Sequence, residues 1–279
     1  MKGFVNRIIE NSFIDGPGNR MAIFMQGCNM ACLYCHNPET QRMCTLCQKC
    51  LKVCSTGALS IEEGRIKYDT KRCIGCDKCL EVCLNFSSPK YFEIESDELV
   101  KLILKNEIFL DGITFSGGEC TLQTDFIVDV VKRVKKNSNL TAFIDTNGLI
   151  SEENLYKLIS CVDGFMLDVK AVDNDIHRTL TAVSNESVLK NLNILAKTEL
   201  LYEVRYVLVE GYNDSIEQIK KLAELLKELN DYTRLVLIPF RPLGVKTHFR
   251  NMPPFNREKY DIIFEEVYKI LKERLIKKD

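Results

Sequence analysis

Three thiols in the segment GCNMACLYCHNPE, residues 27–39, pose the first chemical question. Cys28, Cys32 and Cys35 follow a CxxxCxxC spacing, whereas structural zinc sites and ferredoxin clusters normally take four protein ligands. Three thiolates on a cubane of four irons leave one iron with an open coordination position, and an open position separates a reactive metal site from a structural one. Two other readings compete. CLYCH, residues 32–36, also fits the CxxCH haem-attachment pattern, but that leaves Cys28 without a role and belongs to exported proteins. A zinc site on Cys28, Cys32, Cys35 and His36 asks two adjacent residues to reach one tetrahedral ion.

Eight more cysteines lie between residues 43 and 84, in two copies of CxxCxxCxxxC. This is the spacing of two-cluster bacterial ferredoxins, in which the fourth cysteine of each run ligates the other cluster. The expected sets are therefore Cys44, Cys47, Cys50 and Cys83 for one 4Fe-4S cluster, and Cys73, Cys76, Cys79 and Cys54 for the second. Ser55 and Leu84 stand where that pattern usually has proline. A pair of zinc sites is the alternative, since CxxC pairs also bind zinc. Cys120 and Cys161 stand apart and read as small apolar side chains.

The rest of the composition narrows the setting. The chain has 279 residues, 46% hydrophobic and 28% charged, with Lys+Arg 38 against Asp+Glu 39 and a net charge of -1. That balance offers no broad basic surface for nucleic acid. The start, MKGFVNRIIENSF, lacks the apolar core of a signal peptide, and no run approaches membrane-spanning length. A cytoplasmic protein is expected, so its 13 cysteines call for metal rather than disulfides.

The elements that must position these thiols follow from hydrophobic period. Short apolar runs at 20–26, 112–116, 141–145, 163–169, 202–209 and 234–240 alternate with stretches of helical period, the pattern of β/α units on a parallel sheet. Phe126, Ile127, Val130, Val131 and Val134 share one helical face, as do Ile216, Ile219, Leu222, Leu226 and Leu229, and residues 256–276 read as a last amphipathic helix. Six units make an open, partial (β/α)6 TIM-like barrel, formed by residues 1–42 and 85–279, with 43–84 as an inserted ferredoxin-like module. Ser116, Asp145, Asp168 and Arg241 fall at strand ends, on the rim where α/β barrels do chemistry. His177 and His248 read as surface residues, and His36 as a shaper of the thiol loop.

CxxxCxxC is the signature of the radical S-adenosylmethionine superfamily, and residues 28–35 resemble it closely. SFIDGPGNRMAIFMQGCNMACLYCHNP, FSGGE (115–119), IDTNG (144–148) and MLDVK (166–170) are similar to the matching segments of the glycyl-radical-enzyme activases, the family of pyruvate formate-lyase activase. The short insert with FLDGITFSGGECTLQ looks most like the YjjW-type branch. The resemblance implies that the open iron is chelated by the methionine moiety of S-adenosylmethionine. Reductive cleavage would then give a 5'-deoxyadenosyl radical that takes a hydrogen atom from a glycine of a partner enzyme.

The resemblance also implies roles for residues. Gly117 and Gly118 would let backbone come close to the ligand, Glu119 would orient its ammonium, and Lys170 would meet its carboxylate. Asp145 and Asp168, with backbone oxygens of Thr146 and Val169, would hold a monovalent cation, Na or K. Arg205 would face the nucleoside, and Arg241 stands where pyruvate formate-lyase activase has a histidine contacting it. Asp15, Gly16, Pro17 and Gly18 would lie along the glycine loop of the partner, and flavodoxin or ferredoxin would supply the electron. Three 4Fe-4S clusters are expected in all. Two other classes stay open: another radical S-adenosylmethionine peptide modifier with auxiliary clusters, and a ferredoxin-type electron-transfer protein, which would have no use for an open-coordination triplet followed by GGE.

Overall fold

The computed structural model describes residues 1–278. Strands β1 (Lys2–Ser12) and β2 (Arg20–Met25) form an antiparallel hairpin. A largely irregular segment follows, in which short helices α1 (Lys49–Val53) and α2 (Lys78–Glu81) flank a separate two-stranded sheet of β3 (Leu59–Glu62) and β4 (Arg65–Tyr68). The chain returns through β5 (Phe92–Glu95), antiparallel to β1. Alternating units then run α3 (Ser96–Lys105), β6 (Gly112–Gly117), α4 (Thr124–Asn137), β7 (Thr141–Thr146), α5 (Glu152–Ile159) and β8 (Gly164–Asp168). They continue through α6 (Asn174–Thr181), α7 (Glu186–Ala196), β9 (Leu201–Leu208), α8 (Ile216–Leu229), β10 (Arg234–Pro239), α9 (Arg257–Leu271) and β11 (Leu275–Lys277).

The large sheet has nine strands in the order β11-β10-β9-β8-β7-β6-β2-β1-β5. From β2 to β11 every neighbouring pair is parallel. The six strands expected from apolar runs are β2 and β6 to β10. Their burial explains why they were legible: β2 is buried at all six positions and β6 at its first five, so they read as continuous apolar runs. Three further strands extend the six-stranded expectation. Polar residues interrupt β1, while β5 and β11 are edge strands of four and three residues, too short for a periodic signal.

Helix α4 buries Phe126, Ile127, Val130, Val131 and Val134, the face read from the sequence. Five such side chains contribute on the order of 10 kcal/mol of gross transfer free energy, before the chain entropy that offsets it. The sheet is curled. Ile238 on β10 and Cys28, just after β2, line the same cavity although five strand spacings separate β10 from β2. On a flat sheet that is about 24 Å. Curling brings the C-terminal ends of the parallel strands around one opening.

Candidate active site

Residues 27–42 leave the C-terminal end of β2 as a loop that is tied down along its length. Gly27 N–H donates to Thr40 O at 2.7 Å and Cys28 N–H to Gln41 O at 2.8 Å, which closes the loop on itself. In the middle, Ala31 N–H and Leu33 N–H donate to Thr181 O at 3.0 Å and Leu180 O at 2.9 Å, carbonyls at the end of α6. The Thr247 hydroxyl donates to Leu33 O. His36 Nε2 lies 2.8 Å from Arg241 O, so this ring ties the loop to the segment after β10.

So held, Cys28, Cys32 and Cys35 line one cavity whose wall also carries Asp145, Asp168, Lys170 and Arg205. Burial pushes the Cys28 thiol up to about 11 and the Cys32 thiol up to about 12. As free thiols they are poor nucleophiles at neutral pH, and an iron cluster provides the partner that thiolates need there. Lys170 Nζ sits 2.6 Å from Asp168 Oδ2. Arg205 reaches Asp145 at 3.2 Å and Glu203 at 2.6 Å. Ser116 Oγ–H donates to Asp145 at 2.8 Å. Burial raises the Asp145 carboxyl to about 6, against the pull of Arg205, and the nearby Asp168 charge adds to the rise. Burial works against the charge on Lys170, yet Asp168, Tyr34 and Cys32 together outweigh it and hold the ammonium well above its ordinary range. The wall therefore offers both signs of charge, the complement of a zwitterionic ammonium and carboxylate. Three thiols on one side and this wall on the other fit a cluster with S-adenosylmethionine beside it.

Several expected roles change with the geometry. Glu119 is fully buried and is not on the cavity wall. Its Oε1 accepts from Thr121 N–H at 3.1 Å, Thr121 Oγ1 at 2.6 Å and Thr146 Oγ1 at 2.8 Å, and its Oε2 accepts from Asn147 N–H at 2.7 Å. Burial nonetheless raises its pKa above the usual carboxylate range. The carboxylate braces the end of β7 instead of facing the ligand space. Gly117 and Gly118 do line the cavity, but the close approach they permit is to protein backbone. A Cβ at Gly117 (φ 114°) would lie 2.3 Å from Met25 N, and one at Gly118 would lie 2.2 Å from Gly27 O. Arg241 is exposed and is not among the residues that line the cavity; its carbonyl meets His36 Nε2. Asp145, Thr146 and Asp168 share the wall; Val169 is buried behind it, and its N–H donates to Arg205 O at 3.0 Å. His177 is fully buried, not at the surface, with Nδ1 at 2.9 Å from Val183 O.

The Asp15–Gly18 turn joins β1 to β2 at the N-terminal end of the parallel strands, opposite the thiol loop. It turns inward: Thr114 Oγ1 donates to Asp15 O at 2.6 Å and Arg205 Nη2 to Ile14 O at 3.4 Å. Arg20 holds it there. This fully buried guanidinium donates to Thr114 Oγ1, Pro17 O, Thr141 Oγ1, Ile113 O and Thr141 O at 2.6–3.1 Å, and stacks 4.4 Å from the Phe143 ring centroid. Phe13 and Ile14, just before the turn, are 76% and 73% exposed. Arg205 thus touches both Ile14, just before the turn, and the acidic wall.

The other eight thiols fall into two groups of four. Cys44, Cys47, Cys50 and Cys83 line one small cavity; Cys54, Cys73, Cys76 and Cys79 line another. Each group draws its fourth member from the other sequence repeat. Cys50, Leu59 and Cys79 form a small buried cluster between them, apart from the main core. Residues that sequence reasoning missed include Tyr34, Gln41 and Asn147 on the main cavity wall. Asn147 lay inside a quoted segment, IDTNG, but nothing local marks an asparagine after a strand as more than a turn residue.

Comparison with known proteins shows the family. The pattern of the Radical SAM superfamily matches residues 22–226. The chain is 34% identical to the trans-4-hydroxy-L-proline dehydratase activating enzyme of Clostridioides difficile, over 95% of this chain and 89% of that enzyme. It is 32% identical to the choline trimethylamine-lyase activating enzyme of Oleidesulfovibrio alaskensis, over 88% and 85%. Among solved structures, QueE from Escherichia coli covers 100% of this chain and 94% of its own, with a TM-score of 0.55 at 15% identity, a likeness of fold. With its thiol triplet facing a charged wall across one cavity, this chain belongs to the Radical SAM superfamily and, within it, to the glycyl-radical-enzyme activating enzymes.

Proposed function

We propose that the chain activates a partner glycyl radical enzyme with a 4Fe-4S cluster on Cys28, Cys32 and Cys35. The observation that carries this is the single cavity shared by those thiols, Lys170, Asp168, Asp145 and Arg205. Bound there, the cluster supplies the electron that splits S-adenosylmethionine into methionine and a 5'-deoxyadenosyl radical, which takes a hydrogen atom from the partner's glycine. Lys170 meets the methionine carboxylate, exchanging part of its contact with Asp168 for the ligand. Asp145 and Asp168, with Thr146 and Val169 oxygens, hold a monovalent cation, Na or K, beside that carboxylate. Arg205 keeps Asp145 ionised and supports the Asp15–Gly18 turn, which guides the partner's glycine loop.

Residues 43–84 form an inserted module that holds two further 4Fe-4S clusters, one for each group of four thiols. Flavodoxin or ferredoxin supplies the electron. The test is anaerobic reconstitution with iron and sulfide, reduction in the presence of S-adenosylmethionine, and incubation with glycyl radical enzymes, read by electron paramagnetic resonance. A glycyl radical doublet in one partner is expected. Cleavage of S-adenosylmethionine without that doublet in any such enzyme would point to a different peptide substrate.

A further inference from the structure

Asn147 is 7% exposed, sits on the cavity wall beside the thiol loop, and is held at its N–H and at both polar atoms of its side chain. Its N–H donates to the buried Glu119 at 2.7 Å, and its Oδ1 accepts from Leu149 N–H at 2.9 Å. With the oxygen so occupied, the amide orientation is determined and Nδ2 must face the thiol loop. There it donates to Asn29 Oδ1 at 2.9 Å and lies 3.8 Å from Cys28 Sγ. Met30 N–H lies 3.4 Å from the same sulfur. Asn29 Nδ2 in turn donates to Leu149 O at 2.6 Å, so the 147–149 turn and the thiol loop are clamped to one another around Cys28.

We propose that Asn147 is a positioning residue that sets the reduction potential of the cluster on Cys28, Cys32 and Cys35. This rests on the activase reading of the cavity. Reduction by one electron adds a negative charge, part of which resides on the ligating sulfurs, and an N–H dipole aimed at a sulfur stabilises the reduced state more than the oxidised one. Removing the amide therefore lowers the potential and makes the cluster harder to reduce. Glu119 contributes indirectly, by holding the backbone from which this amide projects.

The test is a potentiometric titration with dithionite, followed by electron paramagnetic resonance, on the reconstituted full-length protein and on Asn147→Ala and Asn147→Asp. The signal of the relevant cluster is isolated by subtracting the spectrum of a variant with Cys28, Cys32 and Cys35 all changed to Ala. In Asn147→Ala the ratio of reduced to oxidised cluster at a fixed potential should fall about threefold to tenfold, tenfold being 59 mV for one electron. Asn147→Asp keeps the shape and the acceptor to Leu149 but replaces the donor with a charge, so its shift should be larger and in the same direction. If only one variant takes up iron, that one decides. Wild-type potentials in the loaded variants would overturn the proposal. So would failure of both to bind the cluster, which would make Asn147 an assembly residue. A wild-type protein with no signal of this kind would instead sink the activase reading.

Discussion

Replacing Glu119 with glutamine separates two roles for the GGE segment. The carboxylate is buried and takes four donors, three on Oε1 and one on Oε2. A glutamine can keep its oxygen toward the two threonines, but its NH2 group then faces the Asn147 N–H, and that buried donor loses its acceptor. One unsatisfied buried donor costs about 1–3 kcal/mol, and three charge-assisted bonds weaken to neutral ones. Against this, removing the charge relieves the burial that raises the pKa of Glu119. The net expectation is a loss of about 2 kcal/mol, or about 3–4 °C in Tm for a chain of this size. Scanning fluorimetry of the anaerobic, cluster-loaded protein without ligand measures it. A Tm within about 1 °C of wild type, together with about tenfold weaker S-adenosylmethionine binding, would refute the brace and return the carboxylate to the ligand.

Four further outcomes are expected. Changing Cys28, Cys32 and Cys35 together to Ala should leave about eight of about twelve irons per chain and abolish S-adenosylmethionine cleavage; stoichiometric zinc by metal analysis, or cleavage in that variant, contradicts the cluster assignment. Lys170→Met should weaken S-adenosylmethionine binding about tenfold to hundredfold by calorimetry at unchanged iron content, because it removes a charge-assisted contact; unaltered affinity would mean the wall is misassigned. Asp15→Asn should leave partner-free S-adenosylmethionine cleavage near normal and slow glycyl radical formation; both activities falling together would make the turn structural. His177 is buried and its pKa is lowered by that burial, so the folded state disfavours the imidazolium. Stability should therefore fall as pH drops below the ordinary value near 6.5, and His177→Gln should flatten that slope in denaturation midpoints measured from pH 5 to 8.

Spacing along the chain was enough for the parts of this protein whose chemistry is local. A CxxxCxxC triplet spans eight residues, so its ligands must share one loop whatever surrounds them. The two CxxCxxCxxxC runs carry their own repeat, and β2, β6 and α4 announce themselves because burial on a whole strand or one helical face leaves a continuous or periodic apolar trace. DGPGNR, SGGE, TNG and LDVK were also visible as segments.

What those segments touch was a matter of tertiary structure. Glu119 and Lys170 both follow a strand, yet curling of the sheet leaves Lys170 on the cavity wall, whereas Glu119 meets Thr121, Thr146 and Asn147 behind it. Arg241 sits after a strand end in sequence but is exposed and does not line the cavity. His177 had no motif and is nonetheless fully buried, because α6 packs beneath the thiol loop whose N–H groups it receives. The Asp15–Gly18 turn lies at the far end of β2, yet Ile14 just before it meets Arg205, since the buried Arg20 pulls the turn into the curled sheet. Periodicity reports which residues leave water; the direction a polar side chain takes is decided by the donors and acceptors that folding brings to it, some as far off in sequence as Cys28 is from Asn147.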